Sequence, residues 1–285
     1  MRSLRPAQWS KNLFVLAPLL FARRLGDPVA LRDAALAFAA FSAAASASYL
    51  LNDLRDREQD RLHPLKRRRP IASGALGAGT AFGAALVVFG ATFALGAKLG
   101  HAFLPVLGVY LALSVLYTLL LKRLVILDVM ALSLGFVLRV LGGAAAIGVA
   151  VSHWLLLCTS FLALFLGFSK RRHELLLLDT AASSQRSVLS QYTPAFLDQM
   201  INVVTASAVV SYALYAVAPE TIAKFQTDRL LLTLPMVLFG IFRYLYLMHR
   251  PNELRNPTEA ILRDLPFLAN ILLWAVAAAM IVHAI

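Results

Sequence analysis

Apolar and polar positions along this chain fall in long blocks rather than in the short periods of soluble helices or strands. A helix needs about 20 apolar residues to cross a bilayer core. Runs close to that length can be read at 8–22, 34–51, 75–97, 102–121, 129–151, 154–169, 195–217, 230–248 and 265–285. The pattern predicts an all-α integral membrane protein, a bundle of nine transmembrane helices forming a single transmembrane domain over 1–285. The first and sixth runs are short, so eight spans plus a half-inserted segment is the alternative. Small residues recur inside the runs, as in Phe41-Ser42-Ala43-Ala44-Ala45-Ser46-Ala47-Ser48. They allow close helix approach where lipid supplies no hydrophobic drive between helices.

Composition agrees: 60% of residues are hydrophobic and the mean hydropathy is +0.73, too apolar for a soluble domain. A net charge of +12 would suggest nucleic acid in a soluble protein. Here the cations sit between apolar runs, no basic stripe or aromatic platform stands clear of them, and no nucleic-acid partner is expected. With the N-terminus cytoplasmic, 19 Lys and Arg fall in inside loops and 6 outside, leaving Arg139 and Arg243 within runs. That asymmetry predicts an inside N-terminus. Cys158 is the only cysteine, so a disulfide or a cysteine-built metal cluster within the chain is excluded. The stretch Asn12 to Ala22 ends in Arg23-Arg24 rather than a cleavage site, and is expected to remain as the first span. The histidines are scattered and form no metal-spaced pair.

The unusual charge is concentrated in two long inside segments, 52–74 and 170–194. In Asn52-Asp53-Leu54-Arg55-Asp56-Arg57-Glu58-Gln59-Asp60, helical continuation of the second span puts Asp53, Asp56 and Asp60 within about 60 degrees of one another. Carboxylates that close repel unless a cation joins them. Hard oxygen ligands, with the Asn52 amide, suit Mg2+, which takes one or two carboxylates plus substrate phosphates. The bland alternative is a solvated stripe paired with Arg55, Arg57 and Arg61. After it comes His63-Pro64-Leu65-Lys66-Arg67-Arg68-Arg69-Pro70-Ile71-Ala72-Ser73-Gly74, a cationic run ending in turn residues. Lys66 and Arg69 are candidates for phosphate oxygens, with a purely topogenic role as the competitor.

These residues resemble the UbiA-type intramembrane prenyltransferase superfamily. Its mark is an Asn-Asp-x-x-Asp-x-x-x-Asp motif after the second of nine helices, followed by a basic Arg-Pro turn. The resemblance runs from Arg5-Pro6-Ala7-Gln8-Trp9-Ser10-Lys11-Asn12 to the last run. It implies Asn52, Asp53, Asp56 and Asp60 as the Mg2+ site, with the three aspartates catalytic.

A second group of candidates follows. The fourth run ends in Tyr117 and Lys122 and the fifth opens with Asp128; interface anchoring explains the Tyr and Lys equally well, but the superfamily uses a Tyr, Lys and Asp here to position a diphosphate. Arg139 lies about 16 Å along the helix from Asp128 and about 20 degrees off its face. A guanidinium at that depth needs a polar interior and a partner, which makes it a functional candidate. Lys170-Arg171-Arg172-His173-Glu174 stands where the superfamily carries its second aspartate motif. The sequence departs from that motif: Glu174 is there, one turn on are Leu177 and Leu178, and Lys170 and Arg171 flank the acid. Cationic grip in place of metal-binding acid suits a substrate with an additional phosphate.

With the Gln-Trp-x-Lys-Asn opening and the His-Pro-x-Lys-Arg-x-Arg-Pro-Ile-Ala run, this form is similar to the decaprenyl-phosphate phosphoribosyltransferase branch. That resemblance implies transfer of a 5-phosphoribosyl group from 5-phosphoribosyl 1-diphosphate to a polyprenyl phosphate in the bacterial cytoplasmic membrane, for arabinan cell-wall precursors, at a site facing the cytoplasm. Lys170, Arg171 and Glu174 would take the 5-phosphate and ribose, and Lys122, Arg139 and Arg69 other phosphate oxygens. The alternative enzyme moves a prenyl chain from a prenyl diphosphate to an aromatic or other small acceptor. A transporter should line both halves of a path with charge, whereas the clustered acid here is all inside. An oligomer is left open.

Overall fold

The computed structural model describes residues 2–62, 66–179, 188–249 and 263–283. His63, Pro64 and Leu65 of the basic run, and Arg186, Arg250 and Arg255 of the charge count, lie outside them. Among the described residues all regular structure is helical. After a 3-10 segment, Pro6–Leu16, come α1 (Ala17–Phe21), α2 (Pro28–Arg55), α3 (Arg57–Leu62), α4 (Ala78–Ala97), α5 (Phe103–Leu119) and α6 (Leu127–Ala146). Then follow α7 (His153–Asp179), α8 (Pro194–Val217), α9 (Pro219–Phe225), α10 (Leu234–Met248) and α11 (Leu265–His283).

Among the described residues seven helical stretches are long and apolar enough to cross a membrane: α2, α4, α6, α7 to Leu176, α8, Arg229–Met248 and α11. Phe103–Leu119 is a shorter apolar helix. The run expected as the first span, 8–22, is instead the 3-10 segment followed by the five residues of α1. Pro18 explains the break, because it brings no N–H to the ladder and is tolerated only where a helix restarts. The second span begins at Pro28 rather than residue 34. Asp27 caps it by accepting from the N–H groups of Val29 (2.9 Å) and Ala30 (3.2 Å), with Pro28 at the first helical position. α7 runs ten residues past the expected end at 169, because the polar stretch that follows consists of good helix formers.

The chain divides into two compact units, Met1–Lys122 with Leu134–Val151 and Arg123–Ser133 with Ser152–Ile285, and α6 contributes to both. In the first unit α2 packs on α4 and on the 3-10 segment. Its core is Val15, Phe41, Phe103, Leu107, Tyr110, Leu111 and Leu138 among alanines, with Phe41 edge-on to Phe103 (5.8 Å) and Tyr110 (5.1 Å). In the second unit α7 packs on α8 and α10 on α11, around Val129, Phe165, Phe168, Tyr192, Leu197, Ile201, Ile241 and Tyr244. Leu268, Leu272 and Val276 of α11 and Phe82, Leu86 and Val87 of α4 are exposed, an apolar surface that requires lipid.

One close approach sets the geometry of the first unit. A Cβ on Gly143 would stand 1.9 Å from the Val15 carbonyl oxygen, and one on Gly142 would stand 2.4 Å from Phe41. Only glycine lets α6 reach the 3-10 segment. Gly143→Ala is therefore expected to lower the thermal midpoint of the purified protein, with a cost of about 1–3 kcal/mol or more from overpacking. Gly90→Ala, whose Cβ meets nothing within 4 Å, should leave the midpoint unchanged or raise it.

Candidate active site

The aspartate motif straddles a helix end. Asn52 and Asp53 lie in the last turn of α2, Asp56 is its C-cap, and Asp60 lies in α3. The Asp56 N–H donates to the Asn52 carbonyl (2.9 Å) and the Asp60 N–H to the Asp56 carbonyl (2.8 Å), so the path stays nearly helical across the break. Asp53 and Asp60 are accordingly on one side and buried, at 3% and 4% exposure.

Cations from three remote parts of the first unit reach these acids. Arg69 Nη1 lies between two of them, donating to Asp53 Oδ1 (3.1 Å) and Asp60 Oδ2 (2.6 Å). Arg5 Nη2 donates to the same Asp53 Oδ1 (2.5 Å). Lys122 Nζ donates to both oxygens of Asp56 (2.9 Å each) and to Asn52 Oδ1 (3.3 Å). The Arg-Pro turn is locked in place: Ile71 is buried with Leu50, Ala81 and Ala85, the Leu76 N–H donates to the Pro70 carbonyl (2.8 Å), and Arg61 Nε donates to the Ala72 carbonyl (3.1 Å).

The three aspartates thus divide between two cationic centres instead of converging on one point. Asp53 and Asp60 go to Arg69, while Asp56 and Asn52 go to Lys122. Among the described residues no group of three or more His, Cys, Asp or Glu side chains is arranged to hold a metal ion. The donor set nevertheless fits Mg2+, which takes one or two protein carboxylates and completes its shell with water and phosphate oxygens. Asn52 and Asp56 converge on the Lys122 ammonium, and Asp53 and Asp60 on the Arg69 guanidinium, so each pair of oxygens already faces a positive charge. Of the remaining candidates in this unit, Lys66 opens the 3-10 turn Lys66–Arg68 and Tyr117 is half-buried near the end of α5. Arg139 is buried: its Nε donates to Asn12 Oδ1 (2.6 Å), Nη1 to the Gly135 carbonyl (2.8 Å) and Nη2 to the Tyr110 hydroxyl (2.9 Å).

In the second unit Asp128 and Arg171 are both fully buried. Arg171 Nε donates to Asp128 Oδ2 (2.5 Å) and its Nη1 donates to Glu174. The Tyr192 hydroxyl donates to Asp128 Oδ1 (2.7 Å) and accepts from the Ile126 N–H (2.6 Å). Burial pushes the Tyr192 phenol far above its ordinary range, so it stays a donor to Asp128. Ile126 has φ +69, a rare conformation for a β-branched residue. Lys170 is exposed and lies 3.8 Å from Glu174. As placed, Arg171 is the counter-ion of two acids rather than an open grip for phosphate.

Arg5 and Tyr192 were not foreseen as site residues. Arg5 reads as one more inside cation, and Tyr192 has no motif around it. The only sequence signal for Arg5 was its place at the head of the Arg-Pro-x-Gln-Trp opening.

Comparison with known proteins decides the family. The UbiA prenyltransferase family model matches residues 13–271. The chain belongs to the UbiA prenyltransferase family. Two relatives are named decaprenyl-phosphate phosphoribosyltransferase. The protein from Corynebacterium glutamicum is 40% identical over 219 residues, 75% of this chain and 66% of its own length. That from Mycolicibacterium smegmatis is 36% identical over 220 residues, 76% of this chain and 69% of its own. Among solved structures, a UbiA homolog from Archaeoglobus fulgidus bound to GPP and Mg2+ is similar with a TM-score of 0.75 at 19% identity, covering 100% of this chain and 99% of that one. The likeness establishes a UbiA-like membrane fold for the whole chain.

Removing one member of a buried ion pair leaves an uncompensated charge, at a cost of about 3–5 kcal/mol. Arg171→Met is expected to cost that much, and Tyr192→Phe, which deletes one hydrogen bond to a carboxylate, about 1.5–3 kcal/mol. Thermal unfolding of the two purified variants against the parent checks the order.

Proposed function

We propose that this UbiA-family transferase moves the 5-phosphoribosyl group of 5-phosphoribosyl 1-diphosphate onto a polyprenyl phosphate and releases diphosphate. The carrying observation is the aspartate site, where the buried Asp53 and Asp60 stand against Arg69 and the half-buried Asp56 against Lys122. Such a site offers both a metal's ligands and donors for diphosphate oxygens. The choice of a phosphoribosyl donor follows the activity for which the 36–40% identical relatives are named.

Asn52, Asp53, Asp56 and Asp60 would hold Mg2+, which when bound would neutralise charge on the leaving diphosphate. Arg69, Lys122 and Lys66 would donate to diphosphate oxygens, with Tyr117 at the same end of the unit. As the bond from ribose C1 to the diphosphate oxygen breaks, C1 gains oxocarbenium character, and a lipid phosphate oxygen forms the new bond. The chemistry requires no protein nucleophile and no proton transfer, so the residues act by orientation and charge. In the second unit Lys170 is the proposed hydrogen-bond donor to a phosphate oxygen, while Arg171 holds Asp128 and Glu174 in place. The 19-to-6 distribution of cations favours a cytoplasmic N-terminus and a cytoplasm-facing site in the inner membrane.

Membership of a prenyltransferase family favours a second reading, transfer of a prenyl chain from a prenyl diphosphate to a small acceptor. An assay of the purified protein separates the two. Labelled phosphoribosyl diphosphate with a polyprenyl phosphate should yield a lipid-linked sugar, EDTA should abolish the product and Mg2+ restore it. Consumption of a prenyl diphosphate with no lipid-linked sugar would reject the proposal. Asp56→Asn should lower kcat/KM by about 10²–10³, the usual loss when one electrostatic stabiliser of developing charge is removed.

A further inference from the structure

We infer that Arg5 is a diphosphate-binding residue of the aspartate site, and that Arg139 is a positioning residue that acts on it through the 3-10 segment. The inference rests on the diphosphate reading above and extends it to residues outside the aspartate motif and the Arg-Pro turn.

Arg5 combines three features. Its guanidinium is one-quarter exposed while its partner Asp53 is buried, so it stands at the open side of the acid cluster. Its Cζ lies over the Tyr49 ring, 4.8 Å from the centroid, which restricts its rotamers and aims the donor fork. Its backbone is left-handed, φ 52 and ψ 59, directly before Pro6. A residue preceding proline prefers an extended backbone, and a non-glycine residue in this region persists only where surrounding contacts over-determine it.

Those contacts are present, part-buried at Trp9 and fully buried at Asn12. Trp9 Nε1 donates to Ser46 Oγ (3.1 Å), and the Ser46 hydroxyl is shared between the Leu4 carbonyl (2.9 Å), just ahead of Arg5, and the Ser42 carbonyl (2.8 Å). Asn12, fully buried, donates through Nδ2 to Ser42 Oγ (2.9 Å) and accepts through Oδ1 from Arg139 Nε (2.6 Å). Val15 closes the segment against Gly143. Each rung ties the 3-10 segment to α2 or α6, and the ladder ends at the left-handed Arg5.

Arg139 supplies the rung that orients the Asn12 amide. Its guanidinium donates to Asn12, the Gly135 carbonyl and the Tyr110 hydroxyl, and lies over the Tyr110 and Phe136 rings at 4.8 and 5.4 Å. A buried guanidinium is stable only with such partners. These partners account for its burial without a substrate, and a role as direct phosphate ligand would break them.

The test uses the full chain in detergent, with two readouts: affinity for inorganic diphosphate in the presence of Mg2+, and kcat and KM for phosphoribosyl diphosphate. Arg5→Ala should weaken diphosphate binding and raise KM tenfold or more, with a smaller fall in kcat. Arg5→Lys should recover part of the loss, since it keeps the charge and loses the fork. Asn12→Ala should raise KM in the same direction with Arg5 intact. The double variant should be no worse than Arg5→Ala, because a residue acting through Arg5 has nothing left to position. Ser42→Ala perturbs the same rung more gently and should give a smaller shift of the same sign.

Unchanged diphosphate affinity in Arg5→Ala overturns the role of Arg5. A double variant showing the product of the two single losses, or a folded Ser42→Ala with unaltered KM, overturns the role of the ladder. If the parent binds diphosphate but transfers no phosphoribosyl group, the donor assignment fails, and the diphosphate affinities still judge Arg5.

Discussion

Asp53 and Asp60, about two turns of helix apart, can be buried side by side with a half-buried Asp56 between them in sequence only if positive charge is brought to them. In the first unit that requirement organises structure far from the motif. Arg5 arrives from the chain's start, Arg69 from the turn before α4 and Lys122 from the end of α5. Each delivery has its own mechanical support: the left-handed residue ahead of the 3-10 segment, the buried Ile71, and the 3-10 turn Leu121–Arg123 that ends the α5 connection. A solvated acidic stripe would need none of this. The burial of Asp53 and Asp60 separates a built site from a charged helix end.

The second unit answers a similar demand differently. Its acids are Asp128 and Glu174, and the guanidinium that serves them is enclosed rather than set at an opening. Tyr192 adds a hydroxyl that links Asp128 to the strained turn at Ile126. One unit thus presents charge at the edge of a polar site, while the other seals it inside. A run that reads as cationic grip, Lys170 to Glu174, turns out to be half counter-ion.

The membrane spans and the Asn52–Asp60 motif were legible because both are local: span length counts residues, and the shared face of Asp53 and Asp60 follows from helical spacing. Asp56 pairs with Lys122, 66 residues away, rather than with the Arg69 that serves Asp53 and Asp60, and no local pattern contains that information. The 3-10 form of the first run is not legible, because hydropathy does not register how Pro18 interrupts the backbone ladder. The start of α2 is not legible either, because the cap at Asp27 lies outside the apolar run. Arg139 reads from sequence as needing partners, and those partners, Asn12 and Tyr110, lie in other elements and are named only by the fold.

The bridge made by Arg69 would bear on turnover as well as on architecture under the proposed function. A guanidinium already shared between two carboxylates would take a diphosphate by exchanging partners, not by filling a vacancy. Once the bond to ribose C1 is broken, Asp53 and Asp60 would compete with the product for Arg69, so the ion pairs that neutralise the resting protein would also act as an internal displacing ligand that hastens release.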